Sequence, residues 1–167
     1  MNYLNREARE SDLICIQEII KSASVEGIGI EGTQEELFAW QKTNCAISLL
    51  KSRLEDSKTL LLVSETSQTN EDIKSLVGTA YAVIKEGNKG YLGGLYCIVK
   101  GKGVGSSLIK DLSLWLEVQG AKSIEMVVAG RNKAMLSLVD KIGFEIVGSE
   151  VGEFLKNGTW LILKKKL

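Results

Sequence analysis

The chain has 167 residues, 44% of them hydrophobic, with Lys plus Arg and Asp plus Glu both at 21. That length and apolar content suit a single domain over residues 1–167, and the charge balance creates no field to draw nucleic acid or an anionic membrane, so neither is an expected partner. Histidine is absent, which removes Ser-His and Cys-His nucleophile pairs and the commonest zinc sites, while Cys15, Cys45 and Cys97 are too scattered for a disulfide framework or metal site and read as reduced thiols.

No apolar run approaches the ~20 residues of a membrane span. The start of the chain, with Arg6, Glu7, Arg9, Glu10 and Asp12 close together, has no signal-type apolar stretch, which predicts a cytoplasmic location. Residues 2–7 read as a first strand. Ser11 or Asp12 caps a helix with Leu13, Ile16, Ile19, Ile20 and Ala23 on one face, expected to run to about Ser22. The glycine-rich segment 27–32 reads as a loop or as part of a substrate wall. Thr33-Gln34-Glu35-Glu36 has the capping-box form and opens a helix with Leu37, Trp40 and Phe38 expected inward, broken near Asn44 and resumed through Ala46, Ile47, Leu50 and Leu54.

Leu60-Leu61-Leu62-Val63 marks a buried strand over 59–65. The polar stretch 67–75 is a hairpin loop, 76–85 the returning strand, 86–90 a turn and 91–99 the next strand. The order then changes to a helix over 106–119 stopped by Gly120, a strand over 123–128, and a helix over 132–142 stopped by Gly143. Strand, helix and strand at this spacing form a crossover, so strands 91–99 and 123–128 are expected parallel in one sheet, without having to be adjacent along their whole length. A closing hairpin follows, 144–155 and 159–165, across Asn157-Gly158, and the Lys164-Lys165-Lys166 tail reads as a solvated terminus.

The segment Lys100-Gly101-Lys102-Gly103-Val104-Gly105-Ser106-Ser107 joins the strand over 91–99 to the helix that follows. Alternate glycines open conformations closed to other residues and keep side chains off the backbone, while the first turn of the helix offers unpaired N–H groups at its positive end. A plain connection needs one such glycine, so three point to an anion. No Lys followed by Ser or Thr stands at the Walker A spacing, and Ser106-Ser107-Leu108 after Gly103-Val104-Gly105 breaks the dinucleotide fingerprint.

What remains resembles the pyrophosphate loop of the GCN5-related N-acetyltransferases, Gln/Arg-x-x-Gly-x-Gly/Ala, with Lys100 at the first position. A second segment, from Asn132-Lys133-Ala134 through Leu138 to Gly143-Phe144, is similar to that family's Asn-x-x-Ala-x-x-Leu-Tyr-x-x-x-Gly-Phe. The resemblance covers 95–144 and implies an α/β (α+β) fold with a mixed, mostly antiparallel central sheet flanked by helices, in the order β-α-α-β-β-β-α-β-α-β-β. It implies a bulge where the two parallel strands splay to admit the pantetheine arm of acetyl-CoA, the co-substrate. Cofactor contacts then fall on Cys97, Ile98, Gly101, Lys102, Gly103, Val104, Gly105, Ser106 and Asn132, with Lys102 reaching either the 3′-phosphate or solvent and Asn132 serving also as a helix cap. A main-chain N–H near Cys97 or Ile98 would face the oxyanion.

The implied reaction is direct transfer of an acetyl group to a primary amine of a small molecule or peptide. The amine has a reference pKa of about 10.4 and must lose a proton first. Tyr96 is the catalytic candidate, although an aromatic in a central strand also reads as core, and Cys97 reads as a small buried hydrophobe, not a nucleophile. Substrate walls fall at about 28–40 and 150–160, where Glu31, Glu35 and Glu36 read as a helix N-terminal turn. Val139 stands where family members commonly carry a Tyr that reprotonates the leaving thiolate, and the link from Cys97 to Gly101 is about two residues short and lacks its Pro. Either the thiolate takes its proton from water or from another group such as Tyr96 or a neighbouring Tyr, or the chain binds the cofactor without fast turnover. The alternatives are a non-catalytic acyl-CoA-binding or interaction domain of the same fold and a phosphate-binding domain unrelated to CoA. The acceptor and the oligomeric state, a homodimer included, stay open.

Overall fold

In the computed structural model, which describes residues 2–27, 32–66, 75–151 and 158–167, seven strands form one sheet in the order β1-β2-β3-β4-β5-β7-β6. They are β1 (Tyr3–Glu7), β2 (Thr59–Thr66), β3 (Leu76–Lys85), β4 (Lys89–Cys97), β5 (Ser123–Ala129), β6 (Glu145–Val151) and β7 (Thr159–Lys166). The helices are α1 (Leu13–Gly27), α2 (Gln34–Asn44), α3 (Ile47–Glu55), α4 (Val104–Val118) and α5 (Lys133–Lys141). Every neighbouring pair is antiparallel except β4 with β5, which is parallel, so the mixed, mostly antiparallel sheet is as expected.

The apolar run in β2 is continuous because helices cover both sides of the sheet. Leu62 faces one core with Val104, Leu108, Leu112 and Leu116, which recur along a single stripe of α4. Leu61 and Val63 face the other, with Leu13, Ile16 and Ile20 of α1, Leu37 and Trp40 of α2 and Leu50 of α3. Both cores reach the centre of the sheet, where β3 and β4 lie between α1 and α4.

Several boundaries differ from expectation. Helix α1 continues five residues past Ser22 because Gln41 Nε2 of α2 donates to Lys21 O at 3.0 Å and to Ser24 Oγ at 2.8 Å, holding turns that propensity alone would fray. Phe38 is 71% exposed, since Leu37 and Trp40, three apart, already occupy the inward stripe of α2. The capping box is present, Glu36 N donating to Thr33 Oγ1 and Thr33 N to Glu36 Oε2. Strand β4 ends at Cys97, and α4 begins at Val104, two residues early, with Gly103 as its N-cap. Residues 28–31 of the expected loop over 27–32, most of the loop over 67–75, the end of the expected strand over 144–155, and Asn157 of the closing turn lie outside the described residues.

A buried ion cluster ties β1 to β2 and to the entry of α1. Arg6 donates to both oxygens of Asp12, at 2.7 and 3.1 Å, and to Glu65 Oε2 at 2.9 Å, with Glu65 only 4% exposed. Arg6→Met is expected to cost about 3–5 kcal/mol in urea unfolding, because it removes this cation from buried carboxylates; a loss under about 1 kcal/mol, the value of a solvated pair, would contradict it. The hydrogen bonds from Arg6 hold the Asp12 carboxyl below its ordinary range, so its contribution is complete above about pH 4 and disappears as pH falls through the lowered value. Wild-type stability should therefore fall below pH 4 more steeply than that of Arg6→Met.

Candidate functional site

Strands β4 and β5 pair over three positions only, Lys89 with Ser123, Gly90 with Ile124 and Tyr91 with Glu125, and then part. The cause lies in β4. Tyr81 of β3 is opposite Gly93, yet Thr79 is opposite Tyr96, so β4 carries one residue more than its partner and bulges. Gly94 sits in the bulge at φ +60°, a conformation that favours glycine. A Cβ on Gly93 would lie 2.8 Å from Tyr81 Oη, and one on Gly94 2.8 Å from Tyr81 Cδ1, so the glycine pair lets the Tyr81 ring rest on the β4 backbone. Residues 92–97 and 126–129 are left facing each other across a wedge with no strand between them.

Main-chain groups on the open side of β4 follow from the ladder. Ile98 donates its N–H to Val77 O at 3.0 Å, toward β3. Because N–H direction alternates along a strand, the N–H of Cys97 turns the other way, into the wedge. Of the two amides considered for an oxyanion, Cys97 is therefore the one available.

The wedge opens at its far end onto the N-terminus of α4. Gly101 and Gly103 have φ of +68° and +81°, and a Cβ on either would meet no atom within 4 Å, so the backbone is bare on the solvent side. Gly103 caps α4 without a side-chain hydrogen bond, and the first helical bond is Ser107 N to Gly103 O at 2.9 Å. The N–H groups of Val104, Gly105 and Ser106 thus have no acceptor within the helix and no capping side chain. Here the positive end of a 15-residue helix meets the mouth of the wedge. Glu26, on the last turn of α1, pairs with Lys100 across this mouth.

At the other end the cleft is aromatic. Trp40 and Tyr96 ring centroids are 6.1 Å apart, Tyr81 and Tyr91 6.3 Å apart, and Arg53 of α3 lies 4.0 Å over the Tyr81 ring. Burial pushes the Tyr91 phenol up to about 12, with Tyr81 and Glu150 adding to the rise and Arg53 opposing it. Burial raises Tyr96 much further, so its phenol stays protonated across the neutral and mildly alkaline range. The Cys97 thiol is pushed to about 11 by burial, which leaves too little thiolate for a nucleophile at neutral pH. The whole cleft encloses about 900 Å³, at the upper end for small-molecule sites.

Of the residues predicted from sequence, Tyr96, Cys97, Gly101, Gly103, Val104, Gly105, Ser106 and Asn132 all line this cleft. Ile98 and Lys102 do not. Ile98 is 48% exposed past the end of β4, with its N–H already bonded to Val77, and Lys102 points outward between two left-handed glycines. Val104 contributes only backbone, since its side chain is buried. Gly105 lies inside α4 and not in the turn, where a Cβ would meet Leu138 Cδ2 at 3.2 Å and Leu95 Cδ2 at 3.6 Å. Asn132 caps α5, its Oδ1 accepting from Met135 N at 3.1 Å, which leaves its Nδ2 donors for the cleft. Val139 is fully buried. Sequence reasoning did not single out Arg53, Tyr81 or Tyr91. The adjacent Gly93 and Gly94 inside a strand were the available signal for the bulge, whereas nothing marks Arg53 among the charges of α3.

A mixed sheet that parts between its two parallel strands, with an uncapped helix N-terminus at the mouth of the gap, defines an α/β fold built around a slot for an extended, anion-bearing ligand. The fold is that of the GCN5-related N-acetyltransferases. Among solved structures the chain is similar to a PaiA N-acetyltransferase from Thermoplasma acidophilum in complex with coenzyme A, with TM-score 0.84, 19% identity and all of both chains covered. It is similar also to a ribosomal-protein-alanine N-acetyltransferase from Brucella melitensis, with TM-score 0.74, 23% identity and coverage of 98% of this chain and 99% of the other. A GCN5-related N-acetyltransferase from Kribbella flavida gives TM-score 0.75 at 16% identity, covering 99% and 98%. No family model matches the sequence, and no curated protein matches it.

Proposed function

We propose that the protein is an acetyl-CoA-dependent N-acetyltransferase acting on a primary amine of a small molecule or peptide. The observation that carries this reading is the wedge between β4 and β5, which leaves the Cys97 N–H facing open space and ends at three free amides of α4. Residues 92–97, when extended, span about 20 Å, enough for a long flexible arm to lie between the strands. Val104, Gly105 and Ser106 would hold the diphosphate through their backbones, and Asn132 would hold the arm through Nδ2. The bound thioester supplies the acetyl group, whose carbon bonds to the amine nitrogen as the C–S bond breaks. Cys97 N–H would donate to the carbonyl oxygen as negative charge develops on it. Tyr96, kept protonated by burial, would donate a hydrogen bond to the departing sulfur, a role that Val139 cannot perform. Burial makes the phenol a weaker acid than a thiol, so the proton that the sulfur keeps would be the one the amine loses, passed through water. The CoA complexes among the similar structures support the choice of ligand, and the three unpaired thiols fit a reducing, cytoplasmic setting. Among the described residues no helix is long and apolar enough to cross a membrane.

Thermal shift with acetyl-CoA against ATP and NAD, followed by thiol release with a panel of amines, tests the proposal. A rise in melting temperature for acetyl-CoA alone and amine-dependent release of CoA are expected. Tight binding with no amine-dependent release would favour the non-catalytic acyl-CoA-binding reading, and equal shifts for all three ligands would contradict both.

A further inference from the structure

Four charged side chains line the cleft among the described residues: Glu26, Arg53, Lys100 and Glu150. Glu26 and Lys100 neutralise each other beside the glycine loop. Arg53 and Glu150 remain at the aromatic end, on α3 and β6, and make no ion pair with a described residue. Arg53 is half-buried, and its one hydrogen bond is a long one, Nη2 to Tyr81 Oη at 3.5 Å. A guanidinium offers five N–H donors in a planar fork, and this one long bond leaves most of them for solvent or a ligand. Its position is nonetheless well defined. It stacks on the Tyr81 ring, and that ring rests against the Gly93 and Gly94 backbone, so two glycines, a phenol and a guanidinium form a continuous stack from the β4 bulge.

We infer that the acceptor carries a carboxylate as well as its amine, the carboxylate held by the free edge of Arg53 and the ammonium drawn in by Glu150. The inference rests on the transfer reading above and narrows it from primary amines in general to amino acid-like ones. A planar, bidentate fork suits a carboxylate, and stacking on Tyr81 fixes its orientation before the ligand arrives. The stack begins at Gly94, three residues before the Cys97 N–H that would face the thioester, about 10 Å along the same strand. An anion on Arg53 therefore places an amine several bonds away toward the reacting carbon. Glu150 and Arg53 both line the cleft and both act on the Tyr91 phenol, with opposite sign.

The test uses the whole protein with matched pairs, each an α-, β- or γ-amino acid and its carboxamide, together with short peptides. Thiol release from acetyl-CoA is measured for turnover, and ligand-observed NMR for binding. The wild type is expected to prefer the carboxylate member by at least about tenfold in kcat/KM, chiefly through KM. Arg53→Gln should bring each pair to parity, and Arg53→Lys should keep part of the preference, since it keeps charge but loses the fork. Melting curves establish that both variants fold. Carboxamides or neutral peptides as good as carboxylates in the wild type, a preference surviving in Arg53→Gln, or neither binding nor turnover of any carboxylate would overturn the inference. Carboxylate binding that Arg53→Gln abolishes, with no thiol release from any pair, would instead defeat the transfer reading and leave the Arg53 assignment standing.

Discussion

Gly103→Asp is expected to weaken acetyl-CoA binding at least about a hundredfold, roughly 2.7 kcal/mol, while the protein still folds. Gly103 stands at φ +81° with no atom within 4 Å of where a Cβ would be, so the new side chain meets only solvent in the free protein. Asp is among the residues that enter the left-handed region at least cost, and a penalty of about 1–2 kcal/mol leaves most folds intact. In the complex the same carboxylate would stand at the positive end of α4, repelling a diphosphate and competing for the N–H groups of Val104, Gly105 and Ser106. Gly105→Asp is the poorer experiment. Its Cβ would press on Leu138, so lost binding there would mix a disturbed core with a blocked site. Calorimetric titration of Gly103→Asp decides the matter: near wild-type affinity would remove the glycine loop from the cofactor site.

Tyr96→Phe is expected to lower kcat by about a hundredfold, with KM for acetyl-CoA little changed and melting temperature nearly the same. Tyr96 follows the bulge in β4 and is adjacent to Cys97, whose N–H faces the wedge. Its phenol is buried against Trp40, and that burial keeps the proton on the oxygen well above neutral pH. Such a group serves as a hydrogen-bond donor to the departing sulfur and not as the base that deprotonates the amine. Accordingly, no fall in kcat between pH 8 and 10 should trace to Tyr96. Unchanged turnover in Tyr96→Phe would assign the ring to packing against Trp40 alone.

The parts of this site that lie close together in sequence were readable before any coordinates. Alternate glycines between an apolar run and an amphipathic one announce a strand, a bare turn and a helix N-terminus, and the crossover from β4 through α4 to β5 follows from spacing. Asn132 was readable as a cap for the same local reason. Long-range contacts were not readable. Gln41 bonding to Lys21 and Ser24 extends α1 until Glu26 reaches Lys100, and no local pattern encodes that reach. The fate of the Ile98 N–H depends on where β3 ends opposite it, so only the structure chooses Cys97 over its neighbour. Arg53 enters the site because the Gly93-Gly94 bulge makes room for Tyr81, a coupling among three elements distant in sequence.

A crystal structure of the acetyl-CoA complex tests the central claim most directly. The arm should lie in the wedge between residues 92–97 and 126–129, its diphosphate bonded to the amides of Val104, Gly105 and Ser106 and the thioester oxygen within hydrogen-bond distance of the Cys97 N–H. Coenzyme bound outside the wedge, or β4 and β5 closed against each other with no coenzyme bound at saturating concentration, would contradict it.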